Sequence, residues 1–226
     1  MPRSHTRYVD FRELKNRGPA AGIVIKLMMV CNDLSFSNQP LADWKEDQEG
    51  SRRARQQGAK LYFHRLQMAH FYEGFEQVRA IKADQTLYDL LHRCDVRTQE
   101  SFRFLDSYLP HGTQRIPFER LFGHIRNNLA FHYDQSGKLI GRAIAELSRR
   151  ADPIGSVTRA STAHDWYFQA ADRVINSIVC FQSWSIPEDA PNLSEQADEI
   201  AMECHEIFLR FVDFAGEFIW RFVSRE

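Results

Sequence analysis

The chain has 226 residues, 43% of them hydrophobic, which suits a single helical domain over residues 1–226 with a sizeable core. Its net charge of −1 excludes a global electrostatic drive toward nucleic acid or anionic membrane, so any nucleic-acid binding must rest on a local patch. Cys31, Cys94, Cys180 and Cys204 are scattered without a C-x-x-C pair, which argues against a disulfide framework and fits reduced, mostly buried thiols in a cytoplasmic protein.

In chain order, residues 1–17 are polar and charged with no apolar h-region, and are expected to be a flexible segment without a signal peptide. Ala20, Ile23, Val24, Leu27, Met28, Cys31 and Leu34 recur at three and four residues and predict a first buried helical stripe. The apolar run Ala20 to Cys31, interrupted by Lys26, is too short to cross a bilayer, so no membrane partner is expected. Ser35 to Ser51, with Pro40 and Gly50, reads as a connector. A long second helix follows from Arg52 to about Ala83, with Leu61, His64, Met68, Phe71, Phe75 and Val78 near one face. Two shorter helices cover Thr86 to Cys94 and Thr98 to Leu109, the second ended by Pro110-His111-Gly112.

The fifth helix is capped by Thr113, tolerates Pro117 in its first turn, and carries Phe118, Leu121, Phe122, Ile125 and Leu129 as its apolar stripe. Gln135-Ser136-Gly137 breaks it, and Lys138 to Arg150 forms a sixth helix. A small-residue loop over Pro153 to Thr162 leads to a seventh helix, Asp165 to Trp184, packing through Phe168, Ala171, Val174, Ile178 and Phe181. The last helix starts at Ser194 and keeps a 3.6-residue apolar period through Ile200, Cys204, Ile207, Phe211, Ala215, Phe218 and Phe222. No repeat at fixed period appears, so the expected fold class is all-α, a bundle of long antiparallel helices with shorter inserted helices.

One segment carries chemistry: Arg126-Asn127-Asn128-Leu129-Ala130-Phe131-His132, at the end of the fifth helix. Arg neutralises phosphate charge in a fixed fork, and His moves a proton near neutral pH. As a bare pattern, Arg followed by His after four to six residues is uninformative. With 23 Arg and 9 His, chance yields about three matches, and three are present: Arg65 to His70, Arg126 to His132 and Arg159 to His164. Context separates them. The first lies mid-helix, where a helix-face Arg and a half-buried His account for it; the third lies in a Ser/Thr/Ala loop. In the second, a polar residue follows the Arg directly, the approach is apolar, and Tyr133-Asp134 follows the His.

The string Leu121-Phe122-Gly123-His124-Ile125-Arg126-Asn127-Asn128-Leu129-Ala130-Phe131-His132-Tyr133-Asp134 resembles the signature of the HEPN (higher eukaryotes and prokaryotes nucleotide-binding) family, and most of all its abortive-infection type. That hallmark is Arg, a polar residue that is often Asn, and then His, on a helix of an all-α bundle. The resemblance covers about fifteen residues. It implies a metal-independent endoribonuclease without cofactors, serving as a toxin or an antiviral or stress effector. Arg126, Asn127 and His132 take the positions of the family's Arg, polar residue and His. Tyr133 directly follows His132, whereas HEPN toxins silenced by a nucleotidyltransferase carry Tyr two positions after it, so that antitoxin is not implied.

RNA cleavage without a metal needs a base for the 2′-hydroxyl, donors for the charged phosphorane and an acid for the leaving oxygen. His132 suits base or acid, Arg126 the phosphate, and Asn127 the orientation of the scissile group. On a straight α-helix, however, residues six apart stand about 9 Å along the axis and about 120° around it. One such helix cannot bring both side chains to one phosphate, which predicts a homodimer whose two-fold related helices share a cleft. The same residues also admit a structural role: His132 as a hydrogen-bonded core residue, Arg126 paired with Asp134, and Asn128 bonded to His132. The functional alternative is a non-catalytic HEPN-like bundle binding a partner protein or nucleotide.

Arg52, Arg53, Arg55, Lys60 and Arg65 make a basic run that supplies either an RNA-phosphate track or a solvated helix face. His64 and His70 have no carboxylate at metal-ligand spacing, and no Walker A, G-x-S-x-G or H-E-x-x-H motif occurs, so no metal site is expected.

Overall fold

A computed structural model describes residues 5–43, 45, 50–130, 136–159, 167–187 and 193–224. The chain is all-α: among the described residues the extended pairing is one isolated antiparallel bridge, Thr158 to Tyr167. The helices are α1 (Phe11–Asn16), α2 (Pro19–Ala42), α3 (Gly50–Ala83), α4 (Gln85–His92), α5 (Val96–Asp106), α6 (Arg115–Phe118), α7 (Lys138–Leu147), α8 (Gln169–Ser177) and α9 (Leu193–Val223). Among the described residues, π-wound segments follow α6 over Glu119–Gly123 and Arg126–Ala130, and α8 over Ile178–Ser183.

The chain divides into two compact units. The first comprises Met1–Asp33, Glu73–Ile116 and Glu203–Glu226; the second comprises Leu34–Tyr72 and Pro117–Met202. In the first unit, Leu27, Val78, Ile81, Leu87, Leu105, Phe211, Phe214 and Phe218 are fully enclosed. Phe102 meets Phe214 edge-on at 5.2 Å, and Phe75 meets Tyr108 at 5.8 Å. Asp84 and Asp95 cap α4 and α5 by accepting from the Leu87 and Thr98 N–H groups, two of the donors that a helix start leaves without an intrahelical partner. Gly74 is where α3 closely approaches this core: a Cβ there would stand 2.7 Å from the Phe211 ring and 3.1 Å from Val30.

In the second unit, Phe71, Phe118, Leu121, Phe122, Ile125 and Leu129 make one apolar cluster, with Phe71 and Phe122 5.5 Å apart. α7 and α8 pack together, joined by a hydrogen bond from Ser177 to Glu146 (3.1 Å).

Several sequence expectations are corrected. Phe11–Asn16 lies inside the segment expected to be flexible, yet forms α1, capped by the Asp10 carboxylate and anchored by the buried Leu14. The connector expected from Ser35 begins only after Ala42. α2 continues through Pro40, in its last turn, because Leu34 and Ser37 are buried and Asn38 accepts a 3.0 Å hydrogen bond from Gln67 of α3. At 24 residues α2 is also long and apolar enough to cross a membrane, contrary to the shorter run expected; Val24, Leu27 and Leu34 are nonetheless buried within the protein. The seventh helix starts at Gln169, because Tyr167 spends its backbone groups on Thr158; Phe168 and Ala171, expected in its packing face, are exposed. The sixth helix ends at Leu147.

Replacing Gly74 by Ala should destabilise the protein by about 1–3 kcal/mol, because the added methyl overfills a closed core. Urea denaturation followed by circular dichroism measures it.

Candidate functional site

The fifth predicted helix is where the fold departs most from simple α periodicity. From Arg115 the chain winds as α6, then takes a π turn over Glu119–Gly123 and a second over Arg126–Ala130. Wider i→i+5 winding presents more consecutive positions to one side. Leu121, Phe122 and Gly123 are accordingly all buried in succession. Isolated π turns recur at functional sites in proteins, and the second one begins at Arg126.

Arg126 is half-buried. Its guanidinium lies 5.2 Å from the centre of the Tyr72 ring and donates to the Asn127 side-chain oxygen at 3.1 Å. Tyr72 in turn packs on Phe118 at 5.4 Å. A guanidinium over a tyrosine face is held at about 0.5–1 kcal/mol near the surface. Asn127 is exposed. The structure therefore brings Arg126 and Asn127 together, and orients both from Tyr72 of α3. His132, the third residue of the motif, lies outside the described residues, as do the side chain of Asn128 and all of Asp134. The 120° separation expected of Arg126 and His132 assumed a straight α-helix; the π winding over Arg126–Ala130 replaces that geometry.

Beneath the motif sits a residue that sequence reasoning assigned to a helix face. Arg65 is buried, and its guanidinium donates to the Leu129 backbone carbonyl at 3.0 Å. A buried cation needs such partners, because an unsatisfied buried charge is expensive. The carbonyl in turn belongs to the π turn over Arg126–Ala130. The signal was present in the spacing: Arg65 shares its stripe of α3 with Met68, Ala69 and Tyr72, so it falls on the apolar side.

The basic run is only partly a unit. Arg55 is exposed, while the side chains of Arg52 and Arg53 lie outside the described residues. Arg55 acts electrostatically on Tyr167, whose phenol donates to Asp172 at 2.7 Å. Burial first, then that bond and the Asp172 charge, pushes the phenol above its ordinary range. A cavity of about 310 Å³ opens here, lined by Gly58, Leu61, Tyr167, Asp172, Arg173 and Asn176. Gly58 gives α3 a close approach at this point, since a Cβ would fall 2.0 Å from the Asp172 carboxylate and displace it. Seventeen residues of α3 separate Arg55 from Tyr72, about 25 Å along the axis, so the basic run and the Arg126 site are distinct places on one helix.

Other nucleophiles are quiet. Burial pushes the Cys31 thiol to about 12 and those of Cys94 and Cys180 to about 11, so all three stay protonated at neutral pH. No three His, Cys, Asp or Glu side chains converge as a metal site among the described residues. Set against protein-family models, curated proteins and solved structures, the chain matches none.

Two outcomes follow. Arg65→Met, which keeps the volume but removes the donor to Leu129, should cost about 1–3 kcal/mol of stability in chemical denaturation. Burial, and then the Lys60 charge, holds His64 below its ordinary range. The unfolded chain therefore binds a proton that the folded one resists, and stability falls as pH drops below about 6.5. Denaturation midpoints at pH 7 and pH 5 should show this loss, with a shallower slope in His64→Gln.

Proposed function

We propose that this protein is a metal-independent endoribonuclease of HEPN type, a cytoplasmic toxin or antiphage effector that cleaves RNA in a cleft shared by two copies of the chain. The observation that carries the reading is the arrangement of Arg126: a guanidinium steadied by the Tyr72 ring, tied to the exposed Asn127, at the start of a π turn. Such a group is set to receive a phosphate without first paying to order a long side chain.

The chemistry assigned to the site is an internal displacement. His132 takes the 2′-hydroxyl proton, and the 2′-oxygen attacks phosphorus. Arg126 neutralises the charge that builds on the non-bridging oxygens, while Asn127 orients the scissile group. The bond to the 5′-oxygen breaks, leaving a 2′,3′-cyclic phosphate, and the leaving oxygen takes a proton. One imidazole cannot hold and lack a proton at once. In a two-fold pair, the His132 of the second copy supplies the acid.

A second reading, a non-catalytic HEPN-like bundle that binds a partner protein or nucleotide, draws on the net charge of −1, since a free-standing ribonuclease usually offers more basic surface.

Purified protein should cut single-stranded RNA in the presence of EDTA and leave the matching DNA intact. Arg126→Ala and His132→Ala should each lower the rate by about 10²–10⁴-fold without loss of helicity. Sedimentation at micromolar concentration should show a dimer. A monomer that cuts no RNA, or activity unchanged in His132→Ala, would favour the binding role.

A further inference from the structure

In the first unit, far in sequence from the Arg126 motif, a cavity of about 290 Å³ is lined by Arg17, Arg93 and Arg221 together with Thr86, Leu90 and Phe222. The end of α1, the first turn and the end of α4, and the last turn of α9 converge on it. We propose that this cavity binds a phosphate monoester carrying a compact apolar body.

The charges point to an anion. Three arginines line one space, and like charges gathered this way repel unless something negative joins them. Among the described residues an ion pair in the group joins Arg221 to Glu217, at 3.6 Å and partly exposed. Three carboxylates of these elements are engaged elsewhere. Asp213 pairs with Arg97 at 2.6 Å, Asp95 caps α5, and Asp84 caps α4. Arg17 donates to the Phe222 carbonyl and lies 4.6 Å from the centre of the Phe222 ring, so this guanidinium is already fixed in place. Serving the carboxyl end of α9 in this way uses only part of a five-donor fork. Arg93 closes α4 through its backbone N–H, which bonds to the Leu90 and Leu91 carbonyls.

The walls select the rest of the ligand. Ala20, Leu87, Leu90 and Phe222 line it with apolar surface, and Thr86 lies among its lining residues. The Ser224 hydroxyl donates to the Trp220 carbonyl at 2.7 Å. The volume equals that of about ten waters, which accommodates a phosphate and one ring. Guanidinium forks match tetrahedral oxyanions bidentately, while an apolar wall gains from covering carbon.

Calorimetric titration of the full-length protein with phenyl phosphate, inorganic phosphate and phenol tests the assignment. Phenyl phosphate should bind saturably, weaken with added salt, and bind at least about tenfold tighter than either fragment. Arg93→Gln, at an exposed position that leaves the core intact, should weaken it about tenfold, the worth of one charge-assisted hydrogen bond. Leu90→Ala should weaken phenyl phosphate while leaving inorganic phosphate unchanged. Equal affinity for phosphate and phenyl phosphate, an unchanged affinity in Arg93→Gln, or absence of saturable binding would each overturn the proposal.

Discussion

A guanidinium taken out of water must find acceptors or the fold cannot keep it, and Arg65 is such a group. Its bond to the Leu129 carbonyl ties the centre of α3 to the segment that holds the candidate site. Much of the second unit follows from that tie. The carbonyl that receives Arg65 belongs to a π turn, the turn starts at Arg126, and Arg126 is oriented by Tyr72 two turns further along the same face of α3. One helix thus both anchors the backbone of the motif and aims its side chain. The cost of burying one charge is converted into a fixed position for another.

The helices were legible because long apolar stripes leave little room for doubt. Met68, Phe71, Phe75 and Val78 of α3, and Ile207, Phe211, Ala215, Phe218 and Phe222 of α9, are buried as their spacing requires. What failed were places where a contact between elements overrides local composition. Pro40 and its polar neighbours look like a connector until Gln67 bonds to Asn38 and Ser37 is buried. Tyr167 looks helical until Thr158 claims its backbone. Neither partner is a neighbour in sequence, so periodicity could not report either.

The site was legible in a narrower way. Chemical type and likeness to a family singled out Arg126 and Asn127, and the structure does set them side by side. Two things were out of reach. Tyr72 is one aromatic among many until the fold places its ring against Arg126. The π winding is equally invisible, since Phe118, Leu121, Phe122, Ile125 and Leu129 read as an ordinary α stripe. Arg65 is the readable exception, a cation standing at stripe spacing among apolar neighbours.

The π turn over Glu119–Gly123 has a consequence for register. Such a turn holds a helix with one residue more than α winding would use between the same two anchor points. Length there is consequently separable from the placement of the motif. A chain shortened by one residue between Phe118 and Ile125 would span the same two anchor points by α winding and keep the groups beyond in register. With the length unchanged, α winding would instead turn all that follows by about 100°, taking Arg126 off the Tyr72 ring and Leu129 away from Arg65. Homologous chains that share the Arg and the His but lack one residue in this stretch therefore carry the motif in the same place without the π turn.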